Sequence, residues 1–459
     1  SGMTIQNVYG NYDWTHNGIY NLGHLTLSNS LVISITSGWT QAGAIYNDYS
    51  GVLTITNSTI SNNQSGAYGG GVANYGVMTL DHVTISGNRA YHGGGILNGG
   101  AMTITNSTIN GNTAWVAGGG IQNAGTASIT NSTIISNTGN SHSGGFYNLG
   151  IAYLSGVILT RNNGHSYGGG IHNGSMLSLS ASTIATNTAQ YGAGVSNYGT
   201  LTMTFGTVRD NIAHQGFAGF LNTGTLNLSQ VSISGNIAET FDGGGITNAK
   251  DSQQKGFLNL TDVTISHNVA QRNGGGIFNK DGMLIATNVT VSGNSASIIA
   301  GIDNSGQITL TNTTITDNQV TQPSGLASIY NGYNSTSVVY LKNTIIANSG
   351  SVPNCRSDLG IGIISLGYNL NSDNSCNLTT IGDLTNTNPF LGSLANNGGA
   401  TLTHALNAGS PAINAGDNTG CPATDQRGMP RPLGARCDIG AYEFSGTYPF
   451  AFILPVIRK

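Results

Sequence analysis

One phrase, Gly-Gly-(Ile/Val)-x-Asn, returns along most of this 459-residue chain and constrains its fold more than any other feature. It is clearest as Gly-Gly-Gly-Ile-Leu-Asn at 93–98 and Gly-Gly-Gly-Ile-Gln-Asn at 118–123. Its Asn falls at Asn21, Asn47, Asn74, Asn98, Asn123, Asn148, Asn173, Asn197, Asn222, Asn248, Asn279, Asn304 and Asn331, and from Asn74 to Asn222 the steps are 24 or 25 residues. A fixed period of that length marks stacked units, none of which can bury its apolar face alone. Each unit holds three short alternating segments separated by Gly and Asn. Alternation sets Leu53, Ile55 and Ile60 on one side and Thr54, Thr56 and Thr59 on the other. The pattern predicts an all-β fold, a parallel β-solenoid with three strands per coil and about thirteen coils. Stacked at ~4.8 Å, these make a rod of roughly 60 Å.

The repeating Asn shares the inward parity of the aliphatic residue two positions before it. Stacked coils then place these amides above one another, where they bond along the axis as a ladder. A second file runs through Asn88, Asn112, Asn137, Asn162, Asn187, Asn211 and Asn236. Some Asn stand in glycosylation acceptors, as in Asn57-Ser58-Thr59 and Asn106-Ser107-Thr108. The ladder is the better reading of both files, because Asn persists where no acceptor pattern exists.

Composition narrows the function classes. Gly numbers 69, while charged residues are 7% of the chain against the roughly 25% usual in globular domains. Fourteen basic residues and a net charge of −4 argue against a nucleic-acid partner. With 38% apolar residues the chain is not disordered, and no run reaches the length of a transmembrane segment.

All four cysteines, Cys355, Cys376, Cys421 and Cys437, lie beyond residue 354. An even count in a Lys-poor, Asn- and Thr-rich chain points to two disulfides and an extracellular or cell-surface location. Their order suggests Cys355–Cys376 and Cys421–Cys437 among three connectivities. Zinc is disfavoured by the lack of a Cys-x-x-Cys pair. The opening Ser1-Gly2 carries no charged or apolar leader, which suggests export with an N-terminal segment already removed. The repeat fades after Asn348, dividing the chain into a β-helix at 1–350, a C-terminal cap or anchor-associated module at 351–446, and a tail at 447–459.

The coil Gly-Gly-Gly-Ile-x-Asn … Leu-Thr-Ile-x-Asn-Ser-Thr-Ile-Ser-Gly-Asn resembles bacterial secreted right-handed parallel β-helix proteins. The C-terminal stretch is more specific. Ser365-Leu366-Gly367-Tyr368-Asn369-Leu370, Asn397-Gly398-Gly399 and Thr401-Leu402-Thr403-His404-Ala405-Leu406 precede Gly409-Ser410-Pro411-Ala412-Ile413-Asn414-Ala415-Gly416. With Asp425-Gln426-Arg427-Gly428 and Cys437-Asp438-Ile439-Gly440-Ala441-Tyr442-Glu443, this resembles the choice-of-anchor Q domain proteins. The resemblance implies export and surface attachment through a variable C-terminal element, and no settled activity.

Candidate chemistry is sparse. The first 200 residues hold only Asp13, Asp48, Asp81, Arg89 and Arg161 as charged groups, and Asp48 and Asp81 fall at different points of the coil. Charge concentrates at Glu239, Asp242, Lys250, Asp251, Lys255, Arg272, Lys280 and Asp281, whose alternating signs read as a solvated loop or contact surface. On that basis the chain is expected not to be an enzyme and to carry no cofactor, metal or catalytic residue. Arg427 is expected to pair with Asp438 or Glu443, and His404 to be a satisfied structural histidine. Rows such as Thr54, Thr79 and Thr103 resemble an ice-binding face, although Asp81 and Tyr153 interrupt them. One aromatic or His per coil before the glycines, at Tyr68, His92, Trp115, His142, Tyr167, Tyr191, Phe217 and Phe241, forms a surface stripe. It suits either sugar stacking or simple ring-on-ring packing. In the tail, Phe450, Phe452, Ile453 and Leu454 could pair with the open edge of another copy. The expected role is an extracellular structural or adhesive rod that polymerises with itself or attaches to the cell surface. A carbohydrate-binding or polysaccharide-cleaving surface protein is the alternative.

Overall fold

A computed structural model describes residues 2–8, 18–38, 43–250 and 255–446. The chain winds as a parallel β-solenoid, and no α-helix occurs among these residues. Four sheets run its length, here numbered in the order each coil visits them. Sheet I stacks the Ile-x-Asn strands from Ile19–Asn21 to Cys355–Ser357, and sheet II the five-residue strands from His24–Ser28 to Gly362–Ser365. Sheet III stacks Thr4–Gln6, Leu31–Ile33 and their successors to Leu370–Asn371. Sheet IV stacks short strands from Thr36–Ser37 to Gln319–Val320.

Register keeps like over like. Ile96 pairs with Ile121 and Asn98 with Asn123, while Met102 to Thr105 lie opposite Ala127 to Thr130. The inward aliphatic files of sheets I, II and III form one continuous core, in which Ile55, Ile60, Ile96 and Ile104 are fully buried. Buried aliphatic side chains contribute about 1.5–3 kcal/mol each, which a lone coil would forgo. The corner between sheets II and III needs a left-handed residue, and Asn supplies it at Asn57, Asn106 and Asn131 (φ 47°, 50° and 47°). The corner before sheet I needs bare backbone. A Cβ on Gly94 would lie 2.5 Å from the carbonyl oxygen of Gly119 in the next coil.

The Asn file forms the expected ladder. Asn98 Nδ2 donates to Asn123 Oδ1 at 2.7 Å, and Asn123 Nδ2 to Asn148 Oδ1 at 2.8 Å. The chain of bonds is unbroken from Asn21 to Asn331, and every member is buried. The second file works differently. Asn112 donates both its backbone N–H (2.9 Å) and its Nδ2 (3.0 Å) to Asn137 Oδ1. It extends past the seven positions read from sequence, from Asn63 to Asn318.

Three features depart from the sequence reading. Each coil has a fourth short strand, which sequence did not show because sheet IV turns mostly Ala inward (Ala189, Ala213, Ala238), with Ser65 in an early coil, and gives no aliphatic signal. The solenoid also continues past residue 350: Cys355–Ser357, Gly362–Ser365 and Leu370–Asn371 extend sheets I, II and III by another coil. The boundary at 350 therefore falls inside the stack, hidden because this coil has Ser357 where the ladder Asn belongs. Beyond it the chain folds back along the flank. Leu406, Ala412 and Ile439 pack on Ile345, Ala347 and Leu370. Thr264, Thr290, Ser292 and Thr314 on the outer face of sheet III are buried beneath this module.

Both disulfides take the order-suggested pairing, Cys355–Cys376 and Cys421–Cys437. The first belongs to the rod's core at the last coil and the second to the flanking module. His404 is buried and satisfied. Its Nδ1 donates to the Gly392 carbonyl (2.7 Å), so Nε2 accepts from Ser292 Oγ (2.8 Å). Arg427 pairs with Asp425 (2.7 Å) instead of Asp438 or Glu443, and meets Glu443 only at its carbonyl; Arg431 faces the Glu443 carboxylate at 3.8 Å. Phe450, Phe452, Ile453 and Leu454 lie outside the described residues. No described helix is long and apolar enough to cross a membrane.

Candidate functional site

The predicted aromatic stripe divides into two structures. Tyr68 bridges His92, His142 bridges Tyr167, and Tyr167 pairs with Tyr191, forming one file beside sheet I. These rings lie on one another, with centroids 5.9 Å apart for Tyr68–His92 and His142–Tyr167, and 5.6 Å for Tyr167–Tyr191. Phe217 continues the stack at 5.8 Å from Tyr191. A parallel stack stands on sheet I itself, where His172 lies 4.9 Å from Tyr147 and 5.1 Å from Tyr198. Burial, with help from neighbouring His142, holds His172 neutral by lowering its pKa to about 3. Faces used on each other are closed to a ligand, so this file is a spine.

Trp115 and Phe241 leave the file. A register shift pairs His92 with Ala117, not with Trp115, because the later strand carries an extra residue. Trp115 consequently projects from the outer face of sheet IV with 62% of its surface exposed. Spacing counted back from the glycines could not reveal this bulge.

Sheet IV carries a groove of about 570 Å³ lined by Asn163, His165, Gln190, His214, Gln215, Thr240 and Phe241. Its floor follows from strand alternation. Ala189, Ala213 and Ala238 point inward, so Gln190, His214 and Glu239 point out. His214 Nδ1 meets Glu239 Oε2 at 2.8 Å on the rim. The other polar liners are neutral amides or hydroxyls and an imidazole, with Phe241 as an apolar wall. Sequence reasoning missed this groove because it missed sheet IV. The recoverable signal was the Ala file Ala189, Ala213, Ala238, Ala270 and Ala296, at the same repeat distance as the Asn files.

Next to Phe241, Asp242 opens a second pocket of about 360 Å³, shared with Arg272, Asn273, Lys280, Asp281 and Tyr333. Burial pushes the Asp242 carboxyl up, while the Arg272 charge and two bonds from Asn273 (backbone N 3.1 Å, Nδ2 3.0 Å) resist that shift. Asp303 sits fully buried on sheet I. Desolvation, aided by the Asp242 charge, raises its pKa well above the carboxylate range. Tyr333 donates to its Oδ2 at 3.5 Å, and its Oδ1 has no hydrogen-bond partner. Among the described residues neither Arg272 nor Lys280 forms an ion pair. Of the charge cluster expected as a solvated loop or contact surface, Asp242, Arg272, Lys280 and Asp281 line this pocket, and Asp251 lies outside the described residues.

The remaining candidates stay apart. Asp48 accepts from Tyr20 (3.1 Å), and Asp81 pairs with His82 (3.0 Å). Thr54, Thr79 and Thr103 align across sheet II, but the row passes into Ser128 and then the half-exposed Tyr153. Among the described residues no group of three or more His, Cys, Asp or Glu could hold a metal ion.

No family model and no curated protein matches the chain. A solved structure titled "Crystal structure of pectate lyase Pel9A" is similar at 16% identity and a TM-score of 0.41, over 85% of this chain and 87% of that one. The expectation that the chain is not an enzyme is corrected, because its ground fails. Its premise was that carboxylates do not converge, yet Asp242 and Asp281 line one pocket.

Proposed function

We propose that this is an extracellular, polysaccharide-acting β-solenoid that binds a glycan along the outer face of sheet IV. The observation that carries the reading is the groove from Asn163 to Phe241, with flat amide and imidazole groups set beside an aromatic wall. Amides and imidazoles both donate and accept, which suits vicinal hydroxyls, while an aromatic face takes the apolar side of a pyranose. Trp115, exposed on the same sheet and clear of other rings, adds a platform. Two disulfides and the C-terminal resemblance support an oxidising, exported setting.

Affinity electrophoresis against xylan, galactomannan, carboxymethylcellulose and amylopectin tests it. At least one polymer should retard the protein. Phe241→Ala and Trp115→Ala should each reduce that retardation several-fold, and Thr103→Ala, on sheet II, should not. Equal loss in all three variants, or free migration in every polymer, would remove the reading.

A further inference from the structure

We infer that the sheet IV groove selects an extended, ribbon-like β-1,4-linked glycan lying parallel to the rod axis, with one sugar facing each coil. The inference rests on the glycan reading above and adds linkage, direction and register to it.

The argument begins with spacing. Asn163 pairs with Thr188, Thr188 with Ile212, and Ile212 with Ile237, so the groove crosses four consecutive coils, which are in register through Gly164, Ala189, Ala213 and Ala238 and shift just beyond. Each coil contributes its own outward polar group: His165, Gln190, His214 and, in the fourth coil, Glu239 on the rim, with Thr240 and Phe241 beside it. Parallel strands repeat at ~4.8 Å, so these groups recur along the axis at that interval. A β-1,4-linked pyranose chain in its extended form advances by nearly the same distance per residue and keeps its ring edges along a straight ribbon. The small mismatch over four coils is within the reach of Gln and His side chains. An α-1,4-linked chain coils, advances less per residue, and rotates its hydroxyls away from a straight row of partners.

Charge selects further. His214 Nδ1 and Glu239 Oε2 are hydrogen-bonded to each other, and none of the lining residues is Asp, Glu, Lys or Arg. Neutral equatorial hydroxyls therefore fit better than a polyanion. Length is also encoded. Going back one coil at a time from Phe241, a chain passes His214, Gln190 and His165, then Asn140, and reaches Trp115 at the sixth coil. Tetrasaccharides fill the groove, and hexasaccharides touch the indole as well.

Calorimetric titration of the full chain with cello-, manno-, xylo- and chito-oligosaccharides of two to six residues, and with maltohexaose, tests this. At least one β-1,4 series should bind. Its affinity should rise about tenfold from dimer to tetramer and again at the hexamer, with maltohexaose at least tenfold weaker than that hexamer. Trp115→Ala should erase the step from tetramer to hexamer, and Gln190→Ala should weaken the tetramer several-fold with the far-ultraviolet circular dichroism spectrum unchanged. Maltohexaose binding as tightly as the best β-1,4 hexamer, or affinity independent of length, would overturn the inference while leaving a glycan-binding groove in place. If no β-1,4 series binds, the inference also falls, and retardation by the polymers then decides whether glycan binding falls with it.

Discussion

The two Asn files should not be equally costly to break, and their geometry sets the order. Asn123 accepts from Asn98 and donates to Asn148 Oδ1 (2.8 Å), the Gly125 carbonyl (3.2 Å) and the Ile151 carbonyl (3.3 Å). In Asn123→Ala, Asn98 Nδ2 keeps the carbonyls of Gly100 and Thr126, both at 3.1 Å. The main loss is the donor to Asn148 Oδ1, a buried acceptor. Asn137→Ala does something worse. The backbone N–H of Asn112 loses Asn137 Oδ1, and Asn112 is fully buried, so a main-chain donor is stranded. One buried unsatisfied group costs about 1–3 kcal/mol, with backbone N–H toward the upper end, so we expect about 2 kcal/mol for Asn123→Ala and about 3 for Asn137→Ala. In a stacked array the damage should stay near the lesion, so hydrogen exchange should rise in the coils flanking 112–162 before the rest. Asn137→Asp adds a pH signature. Its carboxyl would face the Ile109 carbonyl (2.9 Å) and Asn162 Oδ1 (3.0 Å), both acceptors, which would drive its pKa up. The folded state would hold a proton that the unfolded chain releases above about pH 4, so stability should fall as pH rises through the raised folded pKa. The Ala variant should show no such slope. An Asn123→Ala cost equal to or above that of Asn137→Ala, or exchange that rises evenly along the rod, would refute this account.

Asp303→Asn should stabilise the protein at neutral pH and flatten its acid-side profile, because Asp303 retains a proton that the unfolded chain gives up; denaturant titrations at pH 4 and 8 measure the difference. Burial pushes Asp438 and Asp262 up to about 6 from 3.8, so their contribution to docking of the flanking module is complete below about pH 4 and lost as pH rises through 6. For Asp438 that is about 3 kcal/mol, less for the more solvent-screened Asp262, so amide exchange in 397–443 should be faster at pH 8 than at pH 5 after intrinsic-rate correction. Asp417, held low by Lys342 at 2.6 Å, acts in the opposite sense and only in stronger acid. Paired Cys421→Ser and Cys437→Ser changes, which open a 16-residue separation, should cost the module about 3 kcal/mol and leave exchange in coils 45–250, clear of the docked module, unaltered.

The solenoid and its ladder were legible because their signals are local and repeated: an inward Ile two residues before an inward Asn reads the same in every coil. Sheet IV was illegible for the opposite reason, since Ala189, Ala213 and Ala238 occupy core positions that look like loop residues. The Asp303 environment depends on Tyr333, 30 positions later, closing over a site whose middle-of-strand position is outward in other coils. Docking of the module was beyond reach for the same reason. Gln426 donates to Thr264 (2.8 Å) and accepts from Thr290 (2.7 Å), across 162 and 136 residues, and nothing in the local pattern of either partner announces the other.

The ladder also gives the rod an electrical direction. In the Asn21–Asn331 file each Nδ2 donates to the amide of the coil that follows, and each Oδ1 from Asn47 on accepts from the amide of the coil before, with no Nδ2 bond running back to the preceding coil. Backbone dipoles in a sheet largely cancel, but these amide dipoles all add, and aligned bonds polarise one another. The end near Asn331 is therefore the positive pole, where Nδ2 turns to the Ser357 hydroxyl (3.3 Å) for want of another amide. The end near Asn21 is the negative pole. Two such rods brought together favour opposite directions when side by side and the same direction when end to end, independently of any charged residue on their surfaces.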